Sequence, residues 1–113
     1  MNPTVFIEAF SELAAKAHAT AVASGFWEDP VGNDAVAIAL MHSELSEALD
    51  ALRHGDPPDD HIPEFSGMEA EFADVIIRIM DTADARGYRV AEAIVAKMEY
   101  NSRRPYKHGG KRL

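Results

Sequence analysis

Two pairs of carboxylates have the spacing to do chemistry: Glu44 and Glu47 within MHSELSEALDALR (41–53), and Glu71 and Asp74 within EFAD (71–74). Residues three apart share one face of a helix, so each pair projects its side chains together. If the two helices pack antiparallel, four carboxylates converge. Such a group cannot stay ionised without cations, because neighbouring like charges raise each other's pKa. Oxygen ligands with no cysteine and no clear histidine pair suit a hard ion, Mg²⁺ or Mn²⁺, better than zinc. Mg²⁺ commonly keeps waters and adds phosphate oxygens from a substrate.

The helical wheel bears on whether these acids are ordinary solvated charge. At 100° per residue, Met41, Leu45, Ala48, Leu49 and Leu52 form the main apolar stripe of their helix, and His42, Ser43, Ser46, Asp50 and Arg53 form its polar side. Glu44 and Glu47 fall outside that polar arc, among Val36, Leu40 and Ala51. A carboxylate in such a sector needs a partner, since desolvating it alone is expensive. On the next helix Phe72, Ala73, Val75, Ile76, Ile77, Ile79, Met80 and Ala83 cover a broad apolar arc, with Glu71, Asp74, Arg78 and Asp81 opposite. By itself that opposite sector reads as a wet face with helical ion pairing.

The elements that must position these residues are legible from their ends. Thr4 to about Ala23 follows a proline, is rich in good helix formers, and stops before Gly25. Asn33 or Asp34 caps a second helix that runs to about His54 and is closed by Gly55. GDPPDDHIPEFSG (55–67) reads as a loop or extended crossover. Ser66 and Glu69 have capping-box spacing and start a third helix, which runs to about Arg86 before Gly87. A fourth spans Val90 to about Arg103 and is ended by Pro105. No segment alternates, so no strands are predicted, and the expected fold is an all-α bundle of four helices.

Composition narrows the function. The chain has 113 residues, 47% of them hydrophobic, which suits a single domain with a modest core that self-association would help. There is no cysteine, no apolar run near membrane-span length, and no signal-like N-terminus; the expectation is a soluble cytoplasmic protein without membrane contact. The net charge of −8 is uneven. Residues 97–113 carry six basic residues and one acidic, a net of +5, with 105–113 as a basic tail. Residues 1–96 carry five basic and eighteen acidic, a net of −13. So acidic a body argues against nucleic-acid binding. It leaves room for a small phosphate ligand held between cations and acid-bound metal.

Taken in order, ELSE (44–47), EFAD (71–74) and KMEYNSRR (97–104) resemble the MazG-like, all-α nucleoside triphosphate pyrophosphohydrolases. The first two look like that family's E-E-x-x-E and E-x-x-D pattern. The third is similar to the Lys-x-x-x-Asn-x-x-Arg helix found in its dUTPase-like and dCTP pyrophosphatase branches. The likeness covers roughly residues 35–107. It implies an oligomeric four-helix-bundle-like MazG-type fold over residues 1–113. It further implies Mg²⁺ held by Glu44, Glu47, Glu71 and Asp74, and cleavage of a (deoxy)nucleoside triphosphate to monophosphate and pyrophosphate, with house-cleaning of the nucleotide pool as the role. Lys97 and Asn101 would then grip phosphate or sugar oxygens, and Arg104 and Lys107 would reach the outer phosphates. Ser43 stands where the family pattern has a further glutamate, which leaves the metal count and the general base open.

Other residues are less specific. Trp27 lies in the loop after the first helix and could stack on a base, though large aromatics often simply plug a loop into the core. Arg78 and Asp81 could brace the site by a salt bridge to each other. His18 and His42 have no partner in helical register and read as structural. The thin core, together with the resemblance, implies a homodimer or dimer of dimers, with sites near subunit contacts. Two alternatives stand beside the pyrophosphohydrolase: an enzyme of the same reaction acting on phosphoribosyl-ATP, and a non-catalytic helical interaction module.

Overall fold

The computed structural model describes residues 2–28 and 33–105. Four helices pack together: α1 (Pro3–Ala23), α2 (Asp34–Arg53), α3 (Gly67–Arg86) and α4 (Val90–Ser102). Among the described residues there is no strand, only an isolated bridge between Pro58 and Ser66. No helix is long and apolar enough to cross a membrane.

The helix ends follow local chemistry. The Asn2 side chain accepts from the Thr4 amide at 2.9 Å, and Asn33 does the same for Val36 at 2.9 Å, so each satisfies an amide with no intrahelical partner. Ser66 and Glu69 close a reciprocal capping box at the start of α3. Gly87 ends α3 in the left-handed region (φ 72°), where a side chain would be strained. At the other end of α3 a Cβ on Gly67 would come within 2.9 Å of the Ala51 Cβ, so glycine permits the close approach of α2 there.

α3 is the middle helix. α1 and α2 both pack on it, and α4 packs on α1. Asp34 and Arg86 pair at one end of the α2–α3 contact and Ala51 meets Gly67 at the other, so these two helices run antiparallel. Among the described residues the buried hydrophobic ones are all small: Ala14, Ala21, Ala48, Ala70, Ala83 and Ala91. Small side chains let helix backbones approach closely, but each buries little apolar area.

The expected apolar faces therefore do not become a core within this chain. Leu45, Leu49 and Leu52 of the α2 stripe, and Phe72, Ile76 and Ile77 of the α3 arc, remain about half exposed. The α3 sector read as wet turns out to be partly packed: Glu71, Arg78 and Asp81 are half-buried against α2, α1 and the loop after α1, while Asp74 stays exposed. The radius of gyration is 16.4 Å, against roughly 13 Å for a compact chain of this length.

Candidate functional site

α2 and α3 bring Glu44, Glu47 and Glu71 together. One carboxylate oxygen from each lies within 4.8 Å of the others. Ala48 and Ala70, both buried, let the helices close far enough for this convergence. Glu44 is 9% exposed and is held by Arg78, whose Nε donates to its Oε1 at 2.9 Å. Glu47 is open to solvent. Asp74 stands beside this group, on the wall of an adjoining cleft that Glu44 and Arg78 also line.

The electrostatics of the three acids diverge. Burial, reinforced by the Glu44 and Glu47 carboxylates against it, pushes Glu71 up to about 8. Burial also acts to raise Glu44, but hydrogen bonding with Glu71 and Arg78 outweighs it and holds Glu44 below the usual carboxylate range. Asp74 is raised, by desolvation first and then by the charge of Glu44. Glu71 Oε2 is sealed from water and has no hydrogen-bond partner. An ionised carboxylate can only accept, so a Glu71 anion facing two more carboxylates lacks a donor. Either of two things relieves it: a proton, which turns Glu71 into a donor toward its neighbours, or a cation among the three. The all-oxygen donor set suits a hard divalent ion.

The cleft has a volume of about 770 Å³, within the usual size range of small-molecule sites. It lies between α1 and α2 over α3, and its walls are mainly apolar, with Leu13, Leu40 and Ile77 among them. At its far end from Glu44, Trp27 is firmly tethered. Its Nε1 donates to both oxygens of Asp81, at 3.0 and 3.2 Å, its ring meets His18 edge-on, and the Arg86 guanidinium lies over it. His18 Nδ1 lies 2.8 Å from Asp81 Oδ1, so a protonated Nδ1 completes the set.

The sequence-predicted residues thus divide. Glu44, Glu47 and Glu71 converge, and Asp74 flanks them. Lys97, Asn101 and Arg104 do not line the cleft: Lys97 Nζ and the Arg104 guanidinium lie 5.4 and 5.8 Å from the Tyr100 ring, and Asn101 is exposed. Lys107 lies outside the described residues. The expected Arg78–Asp81 brace is replaced by separate partnerships, Arg78 with Glu44 and Asp81 with His18 and Trp27. The Asp81 cluster had no signal in the sequence, since its members come from two helices and a loop. His18, read as unpartnered, gains its partner only through packing.

No protein-family model matches the chain, and no curated protein or solved structure matches it either.

Proposed function

We propose that this protein is a divalent-cation-dependent pyrophosphohydrolase that cleaves a nucleoside triphosphate to the monophosphate and pyrophosphate. The observation that carries the reading is Glu71: a carboxylate with a sealed, unpartnered oxygen, set against Glu44 and Glu47 at the edge of an apolar cleft. The order of ELSE, EFAD and KMEYNSRR supports it independently of the geometry. Glu44, Glu47 and Glu71 would hold Mg²⁺ (or Mn²⁺), with Asp74 beside them. The ion would supply charge neutralisation of the triphosphate and acidify the attacking water.

The chain's own groups have distinct parts in this reading. Arg78 fixes the Glu44 carboxylate in place, so that its oxygens are oriented before substrate arrives. Glu47 is the solvent-open member, and in this reading it would take the proton from the attacking water. The cleft's apolar walls would take the nucleoside and exclude solvent from it. Arg86 over one face of Trp27 leaves less of that ring for stacking on a base. Lys97, Asn101 and Arg104 lie outside the cleft, so phosphate contacts from α4 have no part in this reading.

The test is incubation with a panel of nucleoside triphosphates and phosphoribosyl-ATP in the presence of Mg²⁺, with the products identified. Pyrophosphate and a monophosphate are expected, and the panel decides between the two substrate classes. Glu47→Gln and Asp74→Asn should each lower kcat at least about a hundredfold with helix content intact. Orthophosphate as the first product overturns the reading. The Arg78–Glu44 pair favours one alternative, a non-catalytic helical module whose acids are partly neutralised from within. That alternative gains if no nucleotide is cleaved and Mg²⁺ leaves the Tm unmoved.

A further inference from the structure

A triphosphate brought to an acidic group needs positive charge beyond that of a divalent ion, and phosphoryl-transfer sites combine the metal with cationic side chains. Lys97 and Arg104 of α4 lie outside the cleft, so the cation has to come from its walls. Three basic side chains line it: Lys16, Arg78 and Arg86. Arg86 pairs with Asp34 and lies over Trp27, at the end far from Glu44. Lys16 comes from α1, which contributes nothing to the acidic group. Among the described residues, Arg78 is the one of the three bonded to a member of that group.

The way Arg78 is held leaves most of its donors unused. Its Nε donates to Glu44 Oε1 at 2.9 Å, and a guanidinium carries four further N–H groups on its two Nη nitrogens. Among the described residues neither Nη nitrogen has a hydrogen-bond partner. The side chain is 30% exposed, and its guanidinium carbon lies 5.8 Å from the centroid of the Phe26 ring, another wall of the cleft. Glu44 and Phe26 together restrict how the group can turn. Its positive charge also works against the rise at Asp74, so it stands close to both acids. A guanidinium anchored through Nε keeps its planar Nη fork for a second acceptor, and phosphate matches that geometry.

We propose that Arg78 is the phosphate-binding cation of the cleft, holding Glu44 through Nε while its Nη groups grip oxygens of a bound polyphosphate. This rests on the pyrophosphohydrolase reading for the identity of the ligand. It gives a direct substrate contact to a residue that would otherwise only brace a carboxylate.

The probe is inorganic tripolyphosphate, which has the phosphates without the nucleoside. Arg78→Gln should weaken its binding in the presence of Mn²⁺, by isothermal titration calorimetry, at least about tenfold. Affinity for Mn²⁺ alone, by electron paramagnetic resonance of the free ion, should not fall, because a positive charge has left the neighbourhood of the acids. Arg89→Gln removes the same charge outside the cleft and should change tripolyphosphate binding less than about twofold. If Arg78 serves only to hold Glu44, the Mn²⁺ and tripolyphosphate affinities fall together, and the proposal is overturned. Should Arg78→Gln fail to fold, Arg78→Lys keeps a charge beside Glu44 without the fork, and a loss of at least about threefold is expected. Unchanged tripolyphosphate affinity in either folded variant overturns the proposal, as does a wild type that binds no tripolyphosphate. A wild type that binds it through Arg78 but cleaves no nucleotide overturns the reaction and supports the phosphate contact. Nucleotide cleavage with KM unchanged in Arg78→Gln overturns the contact and leaves the reaction standing.

Discussion

Asp81 and Glu71 lie about three turns apart on α3, both half-buried carboxylates, yet their surroundings are opposite in kind. Asp81 faces donors: the Trp27 indole N–H to both oxygens and the His18 ring beside one of them. Glu71 faces acceptors: the carboxylates of Glu44 and Glu47, with one of its own oxygens unpartnered. Burial is tolerated in the first case because the anion's hydrogen-bonding capacity is used. In the second the folded chain by itself leaves a deficit of positive charge. The first arrangement joins α1, α3 and the loop after α1. The second invites a proton or a cation.

That contrast can be broken by removing each acid in turn. The largest effect on stability is expected at the donor-rich end. Asp81→Ala leaves the Trp27 N–H and the His18 ring without their partner, and should cost about 2–3 kcal/mol in urea unfolding. It should leave any Mg²⁺-dependent rise in Tm intact, because the acidic group is untouched. Loss of the Mg²⁺ response together with stability would show that the two regions are not separable.

Glu71→Gln should act in the opposite direction. The folded pKa of about 8 lies above the ordinary carboxylate value of 4.5. The unfolded chain therefore ionises first as pH rises, and the stability associated with a protonated Glu71 is complete below about pH 4.5. It is lost progressively as pH climbs through 8. Glutamine keeps the shape and donor of the protonated acid without that titration. The variant should melt several degrees above the wild type at pH 8, by differential scanning fluorimetry without divalent ions, and close to it near pH 4.5. Parallel pH profiles for the two proteins would refute the donor-deficit account.

The smallest effect sharpens the comparison rather than breaking it. Trp27→Phe keeps an aromatic ring but removes the N–H that reaches Asp81. A loss of about 1–2 kcal/mol is expected, less than for Asp81→Ala because His18 still serves the carboxylate. A loss equal to that of Asp81→Ala would mean that the indole N–H supplies the whole value of the cluster.

Local sequence was enough to determine the helices. Asn2 and Pro3, Asn33, the Ser66–Glu69 box and Gly87 act within a turn or two of themselves, and the observed ends agree with them to within about a residue. The three-residue spacing of Glu44–Glu47 predicted that they project together, and their place outside the polar arc predicted that both are shielded. Glu44 is; Glu47 is not.

Only the tertiary structure decided which sides of the helices face inward. Hydrophobic periodicity assigns the widest apolar arc to the core, but here helices meet through alanines, which bring backbones close while many larger side chains stay exposed, along the cleft and on the outer face of α2 among other places. Arg78 could pair with Glu44 rather than Asp81 because α2 lies against that sector of α3. His18, Trp27 and Asp81 meet across separations of 54 and 63 residues, where no spacing rule reaches. A helix's period tells which residues share a face; what covers that face depends on every other element.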